Sequence, residues 1–235
     1  MFPEGRSRLR DRLEAGRLLA ERLEHLRDRR PVVLALPRGG VPVGYEIAQR
    51  LEAPLDILLV RKIGAPEQPE LAVGAVVDGP ETHTLVNDRV VEDLGVTDEY
   101  IAEARDRGME EIERRRQLFA AGRPPIDLKG RTVIMVDDGI ATGATVRASI
   151  AALRMQLPAH VVLAVPVAPA ETALALAAEC DELVILAKPD QFHAVSAYYQ
   201  DFRQLDDEDV IHWLKRLPAQ VLDEEPEAPV AAPMA

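Results

Sequence analysis

Fourteen residues constrain this chain more than the rest of it: from Thr132 the sequence runs Thr-Val-Ile-Met-Val-Asp-Asp-Gly-Ile-Ala-Thr-Gly-Ala-Thr, ending at Thr145. An apolar run leads straight into two adjacent carboxylates, Asp137 and Asp138, then into a Gly/Thr-rich turn and an apolar-periodic stretch. The pattern predicts a strand over 132–136, a tight turn, and a helix over 144–157. In an open α/β sheet, ligands bind at the carboxyl ends of the strands, so this turn lies where a site is expected. The first amides of a helix lack internal partners and carry the positive end of its dipole. Small residues at Ala141, Thr142, Gly143, Ala144 and Thr145 let a phosphate approach that backbone, and the two threonines add hydroxyl donors. The turn lacks the Gly-Lys-Ser/Thr of a Walker A loop and the Gly-x-Gly-x-x-Gly of a dinucleotide fingerprint. Adjacent carboxylates repel each other and are stable together when hydroxyls or a cation occupy them. A 5-phosphorylated ribose, with a diol a few ångströms from a phosphate, satisfies both halves of the motif.

The rest of the chain reads as α/β. Strands are expected at 32–36, 55–60, 71–77, 84–86, 161–165 and 183–186, and helices at 41–51, 98–121, 169–178 and 207–217. Strand–helix alternation predicts a mostly parallel sheet with right-handed crossovers, its apolar strands covered on both faces. The first thirty residues hold nine Arg and six acids interleaved with Leu9, Leu13, Leu19, Leu23 and Leu26. They read as a helix that packs its leucines and solvates its arginines, rather than as a basic docking arm. Domain organisation follows as one domain over 1–217, with a core at 31–188 and a C-terminal segment at 189–217 joined by the N-terminal helix. A Pro/Ala/Glu-rich tail over 218–235 has little to bury and is expected to be disordered.

Charge narrows the ligand classes. With 28 basic and 40 acidic residues the net charge is −12, which argues against a general nucleic-acid binder. A small anion in a local basic pocket is still compatible with it. No apolar run approaches the length of a membrane span, and the arginines and glutamates of the N-terminus do not read as a secretory signal. The single cysteine, Cys180, excludes an internal disulfide and a cysteine-rich zinc site, so a reducing cytoplasm is the expected compartment. Cys180 and Trp213 read as core residues.

The segment VIMVDDGIATGAT resembles, at all thirteen of its positions, the phosphoribosyl-pyrophosphate (PRPP) motif of type I phosphoribosyltransferases. From about residue 6 to 217 the chain looks like bacterial phosphoribosyltransferase-like proteins of unassigned acceptor. The resemblance implies the type I fold: a mostly parallel sheet flanked by helices, a small C-terminal hood and, here, a long charged helical insertion. It implies that Asp137 and Asp138 hold the ribose hydroxyls, and Mg²⁺ directly or through water, while Ala141 to Thr145 cradle the 5-phosphate. The loop Leu36-Pro37-Arg38-Gly39-Gly40 falls where the family places its pyrophosphate loop, commonly with a strained or cis peptide. Arg38, Gly39, Gly40, Arg61 and Lys62 are the implied pyrophosphate contacts, with Arg38 and Lys62 joining the two aspartates in catalysis.

The closing loop implied by the resemblance falls at 64–70 or within 83–125, where Arg114, Arg115 and Arg116 could swing toward the pyrophosphate or toward a partner subunit. The hood implies an acceptor site at Phe192, His193 and Tyr198, with Tyr199 also placed to stack on a flat ring. Those aromatics serve equally well to pack the C-terminal helix, and His193 alone is a weak proton relay. The implied activity is transfer of a 5-phosphoribosyl group from PRPP to a nitrogenous base, a purine or pyrimidine, in a homodimer. A non-catalytic PRPP or nucleotide sensor on the same scaffold is the alternative, and nucleotide phosphorolysis or hydrolysis a weaker third.

Overall fold

The computed structural model describes residues 7–68, 71–78, 83–120 and 126–216. Five strands form a parallel sheet: β1 (Val32–Ala35), β2 (Leu55–Ile57), β6 (Thr132–Val136), β7 (His160–Val167) and β8 (Glu182–Ala187), in the order β2-β1-β6-β7-β8. All four residues of β1 and all five of β6 are buried. Alternate residues feed two separate apolar layers. Val33, Ala35, Ile134 and Val136 enter the layer under α1 (Arg12–Leu23) and α2 (Gly40–Leu51). Val32, Leu34, Val133 and Met135 enter the layer under α5 (Ala144–Met155) and α6 (Ala170–Ala177). Side chains on a strand alternate faces, so a strand that is apolar throughout needs cover on both.

The chain leaves β1 toward β2 on one side and leaves β6 toward β7 and β8 on the other. The adjacent carboxyl ends of β1 and β6 therefore form the switch point of the sheet, the crevice where α/β proteins bind ligands. Both sequence-predicted loops, 36–40 and 137–145, emerge there.

Between β2 and β6 lies an insertion. It holds a three-stranded antiparallel sheet, β3 (Val60–Gly64), β4 (Ala72–Val77) and β5 (His83–Val86), followed by α3 (Asp88–Leu94) and α4 (Asp98–Ala120). Here the structure corrects the sequence reading. The apolar run 55–60 is not one strand. Leu58 donates its amide to Ala35 O (3.0 Å), while Leu59 O accepts from the amide of Asp78 (2.8 Å), so the chain changes sheets between these two leucines. Arg61 and Lys62 consequently sit inside β3 rather than at the end of a core strand. Residues 72–77 belong to the same antiparallel sheet and not to the parallel one. An unbroken apolar run carries no mark of such a hinge, because both sheets bury it.

The N-terminal expectation also needs correction. Asp11 caps α1 by accepting from Glu14 N (2.8 Å), and Leu19, Leu23 and Leu26 are fully buried. Arg12, however, is buried on the same face as Ala15, Leu19 and Leu23, and is not solvated. Leu9, ahead of the helix, forms a parallel bridge with Tyr199, so the two ends of the domain are stitched together. The final helix α7 (Asp207–Arg216) packs Val210 and Leu214 inward. Trp213 is half-buried against Tyr45 (5.0 Å between ring centres), and Cys180 is half-buried at the margin of the second layer. Among the described residues no helix is long and apolar enough to cross a membrane. The expected tail at 218–235 and the helix end at 121–125 lie outside the described residues.

Candidate active site

The loop after β6 is shaped by its own backbone. Ile140 N donates to Val167 O (2.9 Å), tying the turn to the neighbouring strand. Gly143 caps α5 with φ +76°, a left-handed conformation that suits glycine. Thr142 and Thr145 are exposed, and the first amides of α5 lack intrahelical acceptors, so this turn offers donors outside the core. Thr172 donates its hydroxyl to Ala141 O (3.1 Å), bracing the turn from α6.

The aspartate pair is asymmetric. The Asp138 amide donates to Asp137 Oδ1 (2.8 Å). Arg12 Nε donates to Asp138 Oδ2 (2.8 Å), with side chains only 10% and 14% exposed. The Arg12 guanidinium also donates to Arg203 O (3.0 Å) and lies 3.9 Å from the centre of the Phe202 ring. Tyr199 donates its hydroxyl to Asp138 O (2.6 Å). Burial pushes the Asp137 carboxyl well above the usual carboxylate range, and the charge of Asp138 adds to the rise. Burial raises Asp138 too, but the Arg12 guanidinium pulls it back. Tyr199 is driven up by burial first and by the Asp138 charge second, so it stays a hydroxyl donor.

The loop after β1 meets the pair from the other side. The Pro37–Arg38 peptide is cis, as the resemblance implies. A Cβ on Gly39 would stand 2.0 Å from Asp138 Oδ2, so only glycine lets the two loops close up. Gly39→Ala is expected to lower stability by about 1–3 kcal/mol, the usual cost of overpacking, read as an earlier urea midpoint. A midpoint equal to that of the parent would mean the carboxylate does not rest on this glycine. Arg38 is half-buried and donates to Leu205 O (2.6 Å), with Asp207 Oδ1 3.2 Å away, so it ties the loop to the C-terminal segment.

A cavity of about 250 Å³ opens at the switch point, and Pro37, Arg61, Arg115, Asp137 and Thr145 are among its lining residues. It thus takes Leu36 and Pro37 from the 36–40 loop, Asp137 from the aspartate pair and Thr145 from the 141–145 turn, whereas Arg38, Gly39, Gly40, Asp138 and residues 141–144 lie outside this lining. Lys62 follows Arg61 on β3 and is half-buried outside this lining. The hood residues do not line it. Phe192 and Tyr198 stack on each other (5.6 Å, 17° between planes), Tyr198 donates to Gln191 O (2.9 Å), and His193 is exposed. Sequence reading missed Arg12 altogether and singled out Arg115 only within a basic run. Both stand on an otherwise core-facing helical stripe, the one signal that could have marked them.

The family described as phosphoribosyl transferase domain matches residues 9–202. Two provisionally named phosphoribosyl transferases of Mycobacterium tuberculosis, from strains CDC 1551 and H37Rv, are each 45% identical over 206 residues, covering 88% of this chain and 46% of their own length. The chain therefore spans about half the length of these curated relatives. The crystal structure of TT1426 from Thermus thermophilus superposes with a TM-score of 0.78 at 44% identity, covering 88% of this chain and 97% of that one.

Proposed function

Because the chain belongs to the phosphoribosyl transferase family, we propose that it transfers a 5-phosphoribosyl group from PRPP to a nitrogenous base, a purine or pyrimidine, releasing diphosphate. One observation supports this reading most. Asp137 and Thr145, from the two ends of the β6–α5 loop, face one cavity together with Pro37 and Arg61. The α5 turn takes the 5-phosphate, the aspartates meet the ribose hydroxyls, and the arginine side takes the diphosphate.

Departure of diphosphate leaves positive charge on the anomeric carbon and ring oxygen. The aspartates stand ready to stabilise that charge and the basic wall to stabilise the leaving group, in positions set before reaction. The base nitrogen attacks from the opposite face, with no covalent enzyme intermediate. Magnesium suits the donor set: two adjacent carboxylates are hard oxygen ligands, and a cation there would offset both the burial that pushes Asp137 up and the charge of Asp138 that adds to it. Among the described residues no group of three or more His, Cys, Asp or Glu could hold a metal, so Asp137 and Asp138 would hold Mg²⁺ jointly with PRPP oxygens. Bound there, it would neutralise diphosphate charge.

Calorimetry with PRPP and magnesium tests the reading directly; no heat at millimolar PRPP would end it. A screen of purines and pyrimidines for diphosphate release then tests transfer. The mutual stacking of Phe192 and Tyr198 favours a second reading, a PRPP sensor without an acceptor pocket. Binding with no turnover on any base would select the sensor.

A further inference from the structure

Segments from opposite ends of the domain meet beside the aspartate pair. Leu9 N donates to Tyr198 O, Gln200 N to Leu9 O and Asp201 N to Arg10 O, each at 2.8 Å, so residues 9–10 and 198–201 form one backbone seam. Two side chains lead from this seam to Asp138. Arg12, the first residue of α1, donates Nε to Asp138 Oδ2 (2.8 Å) and its terminal nitrogen to Arg203 O (3.0 Å), and its guanidinium lies over the Phe202 ring. Tyr199 donates its hydroxyl to Asp138 O (2.6 Å). One strut therefore holds the carboxylate of Asp138 and the other its main chain.

A guanidinium suits this junction, because its planar fork can take a carboxylate and a carbonyl in fixed directions. The Arg12 and Asp138 side chains are only 10% and 14% exposed, so little water competes with these bonds. On its far side Asp138 abuts Gly39, and its amide donates to Asp137 Oδ1. Asp137 lines the cavity, whereas Arg12 and Asp138 lie outside that lining. Asp138 thus stands between the cavity-facing carboxylate and the seam, packed from both directions, and a close-packed interior transmits displacement.

We propose that Arg12, with Tyr199 as a second strut, is a positioning residue that couples the 198–203 segment to the aspartate pair. Filling the ribose subsite then tightens the seam, and loosening the seam weakens the subsite, since coupling between two binding equilibria is reciprocal. The ligand-dependent half of this inference rests on the reading of the cavity as a PRPP site; the link between Asp138 and the seam does not.

Hydrogen exchange tests both halves. The amides of Gln200 and Asp201 read the seam, and those of Val162 and Ala164 in the middle of β7 read the domain as a whole. In the ligand-free protein Arg12→Met is expected to speed exchange at the seam at least about tenfold relative to β7, as loss of a charge-assisted hydrogen bond does. Asp138→Asn, which leaves Arg12 in place, should speed it at least about threefold, since a neutral acceptor keeps roughly half of such a bond. An unchanged seam in Asp138→Asn, or equal acceleration of seam and β7, overturns the link. Saturating ribose 5-phosphate with magnesium should slow the seam in the parent. Arg12→Met should lose that slowing while the first amides of α5 are still protected, and Tyr199→Phe, a milder change, should weaken it. No slowing in the parent despite protection at α5, or the parent's full slowing in either variant, overturns the coupling. A parent that takes up no ribose 5-phosphate by calorimetry refutes the PRPP reading, and the ligand-free comparison then decides the link alone.

Discussion

Asp138→Asn is expected, on the proposed reaction, to lower turnover of PRPP at least about tenfold, since the acidic pair beside the cationic transition state then carries one charge fewer and each 1.36 kcal/mol is a factor of ten. The same change leaves Arg12 nearly buried without its carboxylate. Removing one member of a buried pair costs about 3–5 kcal/mol, and the slight exposure here points to the lower end. Urea unfolding should show this as an earlier midpoint with an unchanged slope. Arg12→Met should destabilise similarly, by stranding Asp138. The double variant should regain much of the loss, because neither charge then lacks a partner. Additive losses in the double variant would mean the two residues act independently, and unchanged turnover in Asp138→Asn would remove its role in the reaction.

Asp137→Asn is expected to separate stability from function. The folded-state carboxyl titrates well above its ordinary value, because burial and the charge of Asp138 oppose ionisation. The folded protein therefore holds this proton more tightly than the unfolded chain. Stability falls as pH rises from the ordinary carboxylate range toward the raised folded value, and above it the full cost of a buried charge is present. Asparagine has no such charge. The variant should be more stable than the parent at about pH 7 to 8, and the advantage should vanish below the ordinary carboxylate range, near about pH 3. Its affinity for PRPP with magnesium should fall at least about tenfold by the same arithmetic. Thermal unfolding across pH, paired with calorimetry, reads both effects. A variant less stable than the parent at the alkaline end of that range would show that Asp137 is a structural partner and not a strained functional group.

The two arginines that the sequence reading undervalued show where one-dimensional patterns stop. Arg12 lies among leucines in a stretch with nine arginines, and solvation is the ordinary fate of such a residue. Its burial depends on Asp138, 126 residues away. Arg115 sits between two other arginines, and only the rotation of α4 against β3 selects it from the three. Partners that distant leave no local trace in residue spacing. The leucines at 58 and 59 teach the same lesson for the backbone: the change of sheet between them is set by Ala35 and Asp78, not by their own propensities.

Residue order was enough to specify the strand–turn–helix at 132–145, the glycine loop at 36–40 and the alternation that builds a parallel sheet, because each is dictated by local backbone geometry and side-chain period. The packed molecule was needed to establish that the two loops meet at one switch point, that Arg12 takes Asp138 while Asp137 faces the cavity, and that the insertion lends Arg115. Those outcomes depend on charges brought together from distant parts of the chain, whose energies exist only once folding has removed the water between them.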